Sequence, residues 1–335
     1  MEYRILGKTG LKISRLGFGG IPIQRVDAEQ TKALIHLARE KGINYIDTAR
    51  AYTVSEEYLG YALKGIRDRF VIATKSMARS AQAMAQDIDI SMEKLRTDYI
   101  DLYQIHNPSA EDLETVTAPG GALESLQKAK AEGRIGHIGV TLHSADLFAK
   151  AVEMDWVETI MFPYNIVETQ GQELIAKCTE KNIGFIAMKP LAGGAIDEAQ
   201  LAIRFLVNDP NVSVVIPGMA NIEEAQQNLL AATNSSPLTQ QEQEKIDKIR
   251  QELGVNFCRR CRYCEPCAVG MSIYTVFLLE GYYNRYGLQD WAQNRYNGMA
   301  VKASDCIGCG VCETRCPYQL PIRQMLQNAV NIFEK

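Results

Sequence analysis

The sequence predicts an α/β fold, a (β/α)8 TIM barrel followed by a small, helical, cysteine-rich domain. Two observations carry this prediction. Short apolar runs alternate with longer stretches of helical periodicity up to about residue 250. The composition then changes abruptly, and eight of the nine cysteines lie in the C-terminal part of the chain.

The strands of the predicted barrel are short apolar runs. After an opening hairpin, YRILGKTG and LKISRLGFGG, eight apolar runs are typical of strands. Helical segments such as AEQTKALIHLAREKG, SAQAMAQDIDISMEKL and GALESLQKAKAEG separate them. This rhythm indicates parallel pairing through right-handed crossovers, and eight such units close a barrel; an open doubly wound sheet is the alternative. The predicted strands are SRLGFGG, INYIDTA, FVIATKS, YIDLYQIHN, IGHIGVTLH, ETIMFPYN, GFIAMKPLA and VSVVIPGM.

The domain boundary is expected near residue 254. The segment LTQQEQEKIDKIRQELG is typical of a closing helix, and FCRRCRYCEPC follows it. We therefore predict a barrel over residues 1–254 and a second domain over residues 255–335. Residues 271–303 are rich in tyrosine and helical in pattern, which predicts an ordered segment between the two cysteine runs.

Composition favours small-molecule partners. The chain has 335 residues and a formal net charge of -4, so no general electrostatic attraction to nucleic acid or to an acidic membrane surface is expected. No run of about 18 apolar residues is present, and the N-terminal segment does not read as a secretion signal. We predict a cytoplasmic protein that binds neither nucleic acid nor membrane.

The cysteines form two tight runs. The second run reads C-x2-C-x2-C-x3-C-P, the bacterial ferredoxin spacing, and the first is close to it. Eight thiolates are the number that two 4Fe-4S clusters require. Zinc sites and a disulfide framework are the alternatives, although paired zinc sites more often separate two C-x2-C motifs by a long gap. The runs consist of Cys258, Cys261, Cys264 and Cys267, and of Cys306, Cys309, Cys312 and Cys316.

Three polar residues end consecutive predicted strands, and a fourth follows the first of these strands. Asp47 ends INYID, Lys75 ends FVIATK, His106 ends YIDLYQIH, and Tyr52 follows Asp47 by five residues. Chemistry in a (β/α)8 barrel gathers at the C-terminal ends of the strands. Singly, each residue has a structural alternative: a cap, an interface residue, a solvated lysine or a core histidine. Together they predict a phenol with a cation, an anion and an imidazole in reach.

These motifs resemble the aldo-keto reductase pattern. The resemblance rests on I-D-T-A-x-x-Y at 46–52, on the lysine of IATKS and on the histidine of YQIHN. The cysteine runs, C-x2-C-x2-C-x-P-C and CIGCGVCETRCP, are similar to the branch of that superfamily with a C-terminal ferredoxin-like 4Fe-4S domain. The resemblance spans nearly the whole chain. It implies an oxidoreductase that interconverts a small-molecule carbonyl and an alcohol.

The resemblance also implies roles for the four residues. Tyr52 would donate the proton as hydride reaches the carbonyl carbon. A free phenol titrates near ~10, and the ammonium of Lys75 would stabilise its ionised form. Asp47 would hold Lys75, and His106 would orient the carbonyl or share the proton relay.

A nicotinamide, NADP or NAD, is the implied hydride donor. Several positions depart from the family pattern: Thr141-Leu142 replaces Ser-Asn, Met161 replaces glutamine, and Met188 replaces a tyrosine. Residues 218–221 hold no basic side chain for a 2'-phosphate, which places NADP preference in doubt. The implied contacts are Gly20, Thr141, Met188, Pro190 and Leu191, with the adenine end at Pro217, Gly218, Met219, Asn221 and Asn228.

The sequence is compatible with three roles for the clusters. They could exchange electrons with an external ferredoxin or other redox protein, hold the small domain folded, or sense oxygen. An electron-transfer protein with the barrel as a docking scaffold is therefore the second hypothesis. The ferredoxin pattern implies that Cys316 joins the first three cysteines and that Cys267 joins Cys306, Cys309 and Cys312.

Three further expectations concern single segments. Arg259, Arg260 and Arg262 could dock an acidic partner, tune a cluster or form a solvated charged face. Cys178 is expected to be a core or surface thiol rather than a ligand. The stretch NPSAEDLETVTAPGG is expected to be a long loop over the site, and its acidic residues argue mildly against a highly anionic substrate.

Overall fold

The computed structural model describes residues 1–234, 236–254 and 256–334, and these form two compact units. The first comprises Met1–Asn165, Thr169–Leu191 and Glu198–Leu238. The second comprises Ile166–Glu168, Ala192–Asp197 and the chain from Thr239 onward. The predicted domain ranges, 1–254 and 255–335, stay a prediction. No helix in the described ranges is both long and apolar enough to cross a membrane.

The first unit is built on eight parallel strands, each paired with the next along the chain. All eight predicted strands are present, and the (β/α)8 prediction is confirmed over the open-sheet alternative. The strands are β3 (Phe18–Gly19), β4 (Tyr45–Asp47), β5 (Val71–Ser76), β6 (Ile100–His106), β7 (Ile135–Thr141), β8 (Thr159–Pro163), β9 (Gly184–Met188) and β10 (Val214–Ile216).

The first and last strands close the ring. Parallel bridges join Leu16 to Val215 and Gly19 to Gly218. A side chain at Gly19 would place its Cβ 2.7 Å from the carbonyl oxygen of Pro217, so only glycine permits this approach.

The predicted hairpin closes one end of the barrel. Strands β1 (Tyr3–Ile5) and β2 (Lys12–Ser14) pair antiparallel. Leu6 and Ile13 from this hairpin are fully buried and pack with the side chains that fill the barrel interior. Apolar filling of this kind is why the barrel is a packed core rather than a pore.

Amphipathic helices surround the strands and bury their apolar faces in the outer core. Helix α1 starts with a capping box between Asp27 and Gln30, as its sequence favours. The helices of this unit are α1 (Ala28–Glu40), α2 (Ser55–Ala62), α3 (Ala81–Leu95), α4 (Ala110–Thr117), α5 (Ala122–Ala131), α6 (Ala145–Ala151), α7 (Gln172–Glu180), α8 (Ala199–Val207) and α9 (Ile222–Thr233).

The expectation of a long loop after β6 was wrong, because α4 occupies most of that stretch. Ser109 and Asp112 form a capping box at its start. The sequence S-x-x-D contains this cap, but two turns of helix are too short for a clear apolar period.

The second unit is helical and has its own core. Its elements are α10 (Gln240–Gly254), α11 (Ile273–Asn284), α12 (Gln289–Asn297), α13 (Val311–Thr314) and α14 (Ile322–Phe333). Tyr296 stacks on Phe333 with ring centroids 4.3 Å apart, and six of the eight clustered cysteines lie in or against this core. The helical segment predicted between the cysteine runs corresponds to α11 and α12.

Candidate functional site

The four predicted catalytic residues gather at the C-terminal ends of neighbouring strands. Asp47, Lys75 and His106 close or nearly close β4, β5 and β6, and Tyr52 lies in the turn between β4 and α2. Because these strands are paired side by side, their ends present the side chains to the same region. Thr53, next to Tyr52, has a φ of 38°, a strained conformation for a β-branched residue.

Lys75 and Asp47 form a buried ion pair. The Nζ of Lys75 donates to Oδ2 of Asp47 at 2.6 Å and to the carbonyl oxygen of Thr48 at 2.8 Å. Their side chains are only 2% and 4% exposed. Gln104 donates to the other carboxylate oxygen at 3.3 Å. Burial lowers the pKa of Lys75 and raises the pKa of Asp47, and their mutual attraction opposes both shifts.

The ring of Tyr52 lies close to both the cation and the imidazole. The Nζ of Lys75 lies 4.9 Å from the centroid of the Tyr52 ring, and the ring of His106 meets that ring edge-on with centroids 6.2 Å apart. The phenol, the ammonium and the imidazole that the sequence placed on separate strands therefore come together.

His106 is held neutral. Burial is the main cause that lowers its pKa well below 6.5, and the charges of Lys75, Arg79 and Lys189 add to the effect. Its Nδ1 is buried and has no hydrogen-bond partner in the described chain. A neutral imidazole can donate a hydrogen bond but is a weak proton source at neutral pH.

A second polar network adjoins this site, and the sequence reasoning missed it. Nζ of Lys189 lies 3.0 Å from Nε2 of His143, whose Nδ1 lies 3.0 Å from Oδ1 of Asn107. Asn107 and Lys189 both have positive φ angles. Asn107 and Lys189 directly follow β6 and β9, and His143 lies two residues after β7. Their places after strands resemble that of His106, but each becomes meaningful only when its partner is seen beside it.

The positions predicted to touch the nicotinamide lie at or near the same strand ends. The amide of Gly20 donates to the carbonyl of Asp47 at 2.8 Å, and a Cβ at Gly20 would come within 2.7 Å of that oxygen. Thr141 is buried, and its hydroxyl accepts from the amide of Asn107 at 3.0 Å. Met188 ends β9 and is 8% exposed. Pro190 and Leu191 follow directly.

The positions predicted for the adenine end surround the start of α9. Asn221 caps this helix by accepting from the amide of Glu224 at 2.8 Å. The carboxylate of Glu224 in turn accepts from the amide of Ala220 at 2.7 Å. Met219 and Asn228 are buried, whereas Gly218, after Pro217, is exposed.

The eight clustered cysteines line two cavities. No disulfide joins any two cysteines within the described ranges, which argues against a disulfide framework. Within the described ranges, no group of three or more His, Cys, Asp or Glu converges as ligands of a single ion do. The first cavity is lined by Cys258, Cys261, Cys264 and Cys316, and the second by Cys264, Cys267, Cys306, Cys309 and Cys312.

Two arginines of the first run are buried beside the first cavity. Arg259 and Arg260 are 7% and 6% exposed, so a solvated charged face is the wrong interpretation for them. Arg262 is exposed. Cys178 lies in the barrel's outer core, as expected of a structural thiol, and burial raises the pKa of that thiol to about 12.

The barrel and the residues at its strand ends define an oxidoreductase of the aldo/keto reductase class. The chain belongs to the aldo/keto reductase family, whose family model matches residues 15–200 and 196–251. Residues 257–321 match the 4Fe-4S dicluster domain. The predicted resemblance to the iron-sulfur branch is therefore confirmed.

Individual relatives agree with this assignment. The chain is 27% identical over 300 residues to L-galactose dehydrogenase of Arabidopsis thaliana, covering 74% of this chain and 93% of the relative. It is also 27% identical to an uncharacterized oxidoreductase of Bacillus subtilis, covering 72% and 94%. Among solved structures, the holo form of an aldo-keto reductase from Bacillus halodurans is 26% identical with a TM-score of 0.65, covering 74% and 96%.

Proposed function

We propose that this oxidoreductase interconverts a carbonyl and an alcohol at the barrel site, with Tyr52 as the general acid and base. The observation that carries the proposal is the buried Lys75–Asp47 pair, whose ammonium lies 4.9 Å from the Tyr52 ring centroid. A fixed cation beside a phenol stabilises the phenolate that remains after proton donation. Asp47 keeps that cation in place.

His106 orients the substrate in this proposal. Because burial and three nearby cations keep the imidazole neutral, it can donate a hydrogen bond to the carbonyl oxygen without competing as the acid. The catalytic proton therefore comes from Tyr52. Positioning of this kind adds to catalysis by holding the carbonyl within reach of the donor.

A bound nicotinamide would supply the hydride, which no amino-acid side chain can provide. Met188 supports this assignment, since a thioether at the end of β9 offers a favourable contact to an aromatic ring. Glu224 favours NAD over NADP. Its carboxylate lies against the amide of Ala220, in the segment where a 2'-phosphate would bring further negative charge.

The test of the barrel proposal is Tyr52→Phe in the full-length, anaerobically purified protein. We expect carbonyl-dependent oxidation of NADH, over a panel of aldehydes, ketones and aldoses that includes the product of L-galactose oxidation, to fall by at least about 100-fold. NADH binding, followed by fluorescence, should stay unchanged. Tyr58→Phe, on the neighbouring helix α2, is the matched control. A fully active Y52F enzyme would refute the role of Tyr52.

We further propose that the second unit holds two 4Fe-4S clusters. Cys258, Cys261, Cys264 and Cys316 would bind the first, and Cys267, Cys306, Cys309 and Cys312 the second. Each set surrounds a cavity rather than converging on a point, which suits a cubane better than a single zinc ion. Bound clusters would store and pass single electrons, for which a ferredoxin or similar protein is the proposed partner.

Metal analysis and an NADH titration separate the two functions. We expect about eight iron and eight sulfide per chain, with broad absorbance near ~400 nm. If NADH bleaches this absorbance, the barrel and the clusters share one electron path. If the clusters stay oxidised while NADH is consumed with a carbonyl, the barrel is a self-contained reductase. Reduction by ferredoxin, with no NADH binding, would favour the electron-transfer hypothesis.

A further inference from the structure

The two cysteine-lined cavities differ in the charges around them. Three arginines line the first cavity, and two of these, Arg259 and Arg260, are buried. The second cavity is lined by one arginine, Arg323, whose side chain is 53% exposed and lies 2.8 Å from the carboxylate of Glu313. The first cavity therefore has buried positive charge beside it, and the second has a solvated ion pair.

Among the residues that the structure describes, only one of the two buried arginines has a counter-ion. Arg260 pairs with Glu168, a fully buried carboxylate, at 3.2 Å. Arg259 instead donates to the carbonyl of Gly254 at 3.1 Å and stacks on the ring of Tyr318 at 3.9 Å. No carboxylate within the described ranges lies at ion-pair distance from Arg259. A buried guanidinium without a counter-charge is costly, so a negative group nearby would be strongly favoured.

Two orphaned donors suggest what that group is. The Nε atoms of both Arg259 and Arg260 are buried and have no hydrogen-bond partner among the residues that the structure describes. Arg15 and Arg67 in the barrel have an orphaned Nε as well, but Arg259 and Arg260 line a cavity together with four cysteines, so a partner in that cavity would satisfy their donors. The sulfur atoms of a thiolate-bound cluster carry negative charge and accept hydrogen bonds. The residues thus fit a cluster in the first cavity.

We propose that Arg259 and Arg260 give the first cluster a more positive reduction potential than the second, so that an electron entering the pair settles on the first. The proposal rests on the proposed two-cluster function. Reduction adds one negative charge to a cluster, and a fixed positive charge in a poorly solvated site stabilises that state. Transfer from the second cluster oxidises it by one electron and reduces the first by one. An external one-electron donor supplies that electron.

The test is an anaerobic redox titration of the full-length holoprotein, followed by electron paramagnetic resonance. Arg259→Gln should shift the more positive couple to a more negative potential and leave the other in place. Glu168→Gln removes the counter-charge of Arg260 and should shift the same couple in the opposite direction. Arg323→Gln is the matched control and should leave that couple unchanged.

The outcomes separate this inference from the two-cluster proposal. Iron near four or zero per chain in the wild-type protein refutes two clusters, whatever the potentials. With about eight iron retained, an unchanged couple in R259Q, or a shift of the more negative couple, overturns the inference. If R259Q loses its iron, Arg259→Lys and E168Q take its place as the test of the inference. Wild-type potentials in E168Q would then count against the inference.

Discussion

The ammonium of Lys75 lies 2.6 Å from the carboxylate of Asp47, and both groups are almost completely buried between β4 and β5. Burial disfavours each charge alone, so each depends on the other to stay ionised. The pair therefore holds a buried cation beside the Tyr52 ring, out of contact with solvent. The energetic cost of this burial is the reason that a change on either partner should affect both stability and chemistry.

Asp47→Asn should therefore lower both the stability of the protein and its turnover. Removal of one partner leaves Lys75 buried without its counter-charge, which typically costs about 3 kcal/mol or more. Its ammonium would also lose its proton more readily, and we expect turnover to fall by at least about 100-fold. Thermal unfolding followed by circular dichroism and carbonyl-dependent NADH oxidation measure the two effects.

The matched control for this prediction is Asp68→Asn. Asp68 pairs with Arg69 in solvent, with side chains 72% and 63% exposed. Exposed pairs contribute about 0 to 1 kcal/mol, so this variant should behave like the wild type. Equal loss in D47N and D68N would show that the buried pair has no special role.

His106 should make the barrel less stable as the pH falls. Its folded-state pKa is depressed well below 6.5, so below about pH 6.5 the unfolded chain binds a proton that the folded chain does not. Stability is then lost as the pH falls towards the folded-state value, by up to about 1.4 kcal/mol per pH unit.

His106→Gln removes this titration and should flatten the decline between about pH 6.5 and pH 5.5. His36→Gln, at an exposed position on α1, is the control and should leave the slope unchanged. Unfolding midpoints measured across that pH range test the prediction. An identical slope in wild type and H106Q would mean that His106 becomes protonated in the folded protein.

The barrel could be predicted because its signals are local. Each of the eight strands is an apolar run that ends where the chain turns, and strand pairing follows from chain order. The same logic placed Asp47, Lys75 and His106 at neighbouring strand ends. It did not identify Lys189 and His143, because a lysine or a histidine after a strand carries no pattern until a partner is seen beside it.

Burial of charged side chains could not be predicted in this way. Arg259 and Arg260 are two of three arginines interleaved with the cysteines of the first run, a charged segment that is typical of a surface, yet both are buried. Their burial depends on Glu168 and Tyr318, which are distant in sequence. Helix α4 was missed for a different reason, since eight residues are too few to establish a helical period.

Coenzyme preference should depend on Glu224. We expect the wild-type enzyme to have a higher kcat/KM with NADH than with NADPH. Glu224→Gln removes the negative charge next to the amide of Ala220, and the NADPH to NADH ratio should rise by roughly fivefold, equivalent to about 1 kcal/mol near a helix start. Steady-state kinetics with both coenzymes measure this ratio.

Glu223→Gln provides the comparison at the preceding position of the same helix turn. Its exposed carboxylate has a weak contact to Gln227 at 3.4 Å and none to the Ala220 amide among the described hydrogen bonds. This variant should change the ratio less than E224Q does. A wild-type preference for NADPH, or equal ratios in E224Q and wild type, would contradict the assignment.

The final prediction concerns which cysteines act together. If each run held its own cluster, Cys316 would belong with Cys309. The cavities instead place Cys316 with Cys258 and Cys261, and Cys267 with Cys309. Cys316→Ala should therefore leave about four iron per chain and the same paramagnetic spectrum as Cys258→Ala.

Cys267→Ala should match Cys309→Ala and leave the complementary spectrum. Cys178→Ala is the control, because this thiol lies in the barrel core and should leave about eight iron per chain. A spectrum of C316A that matches C309A would show that each run binds its own cluster. Cys264 lines both cavities. We therefore expect C264A to remove a ligand of the first cluster and also to change the lining around the second.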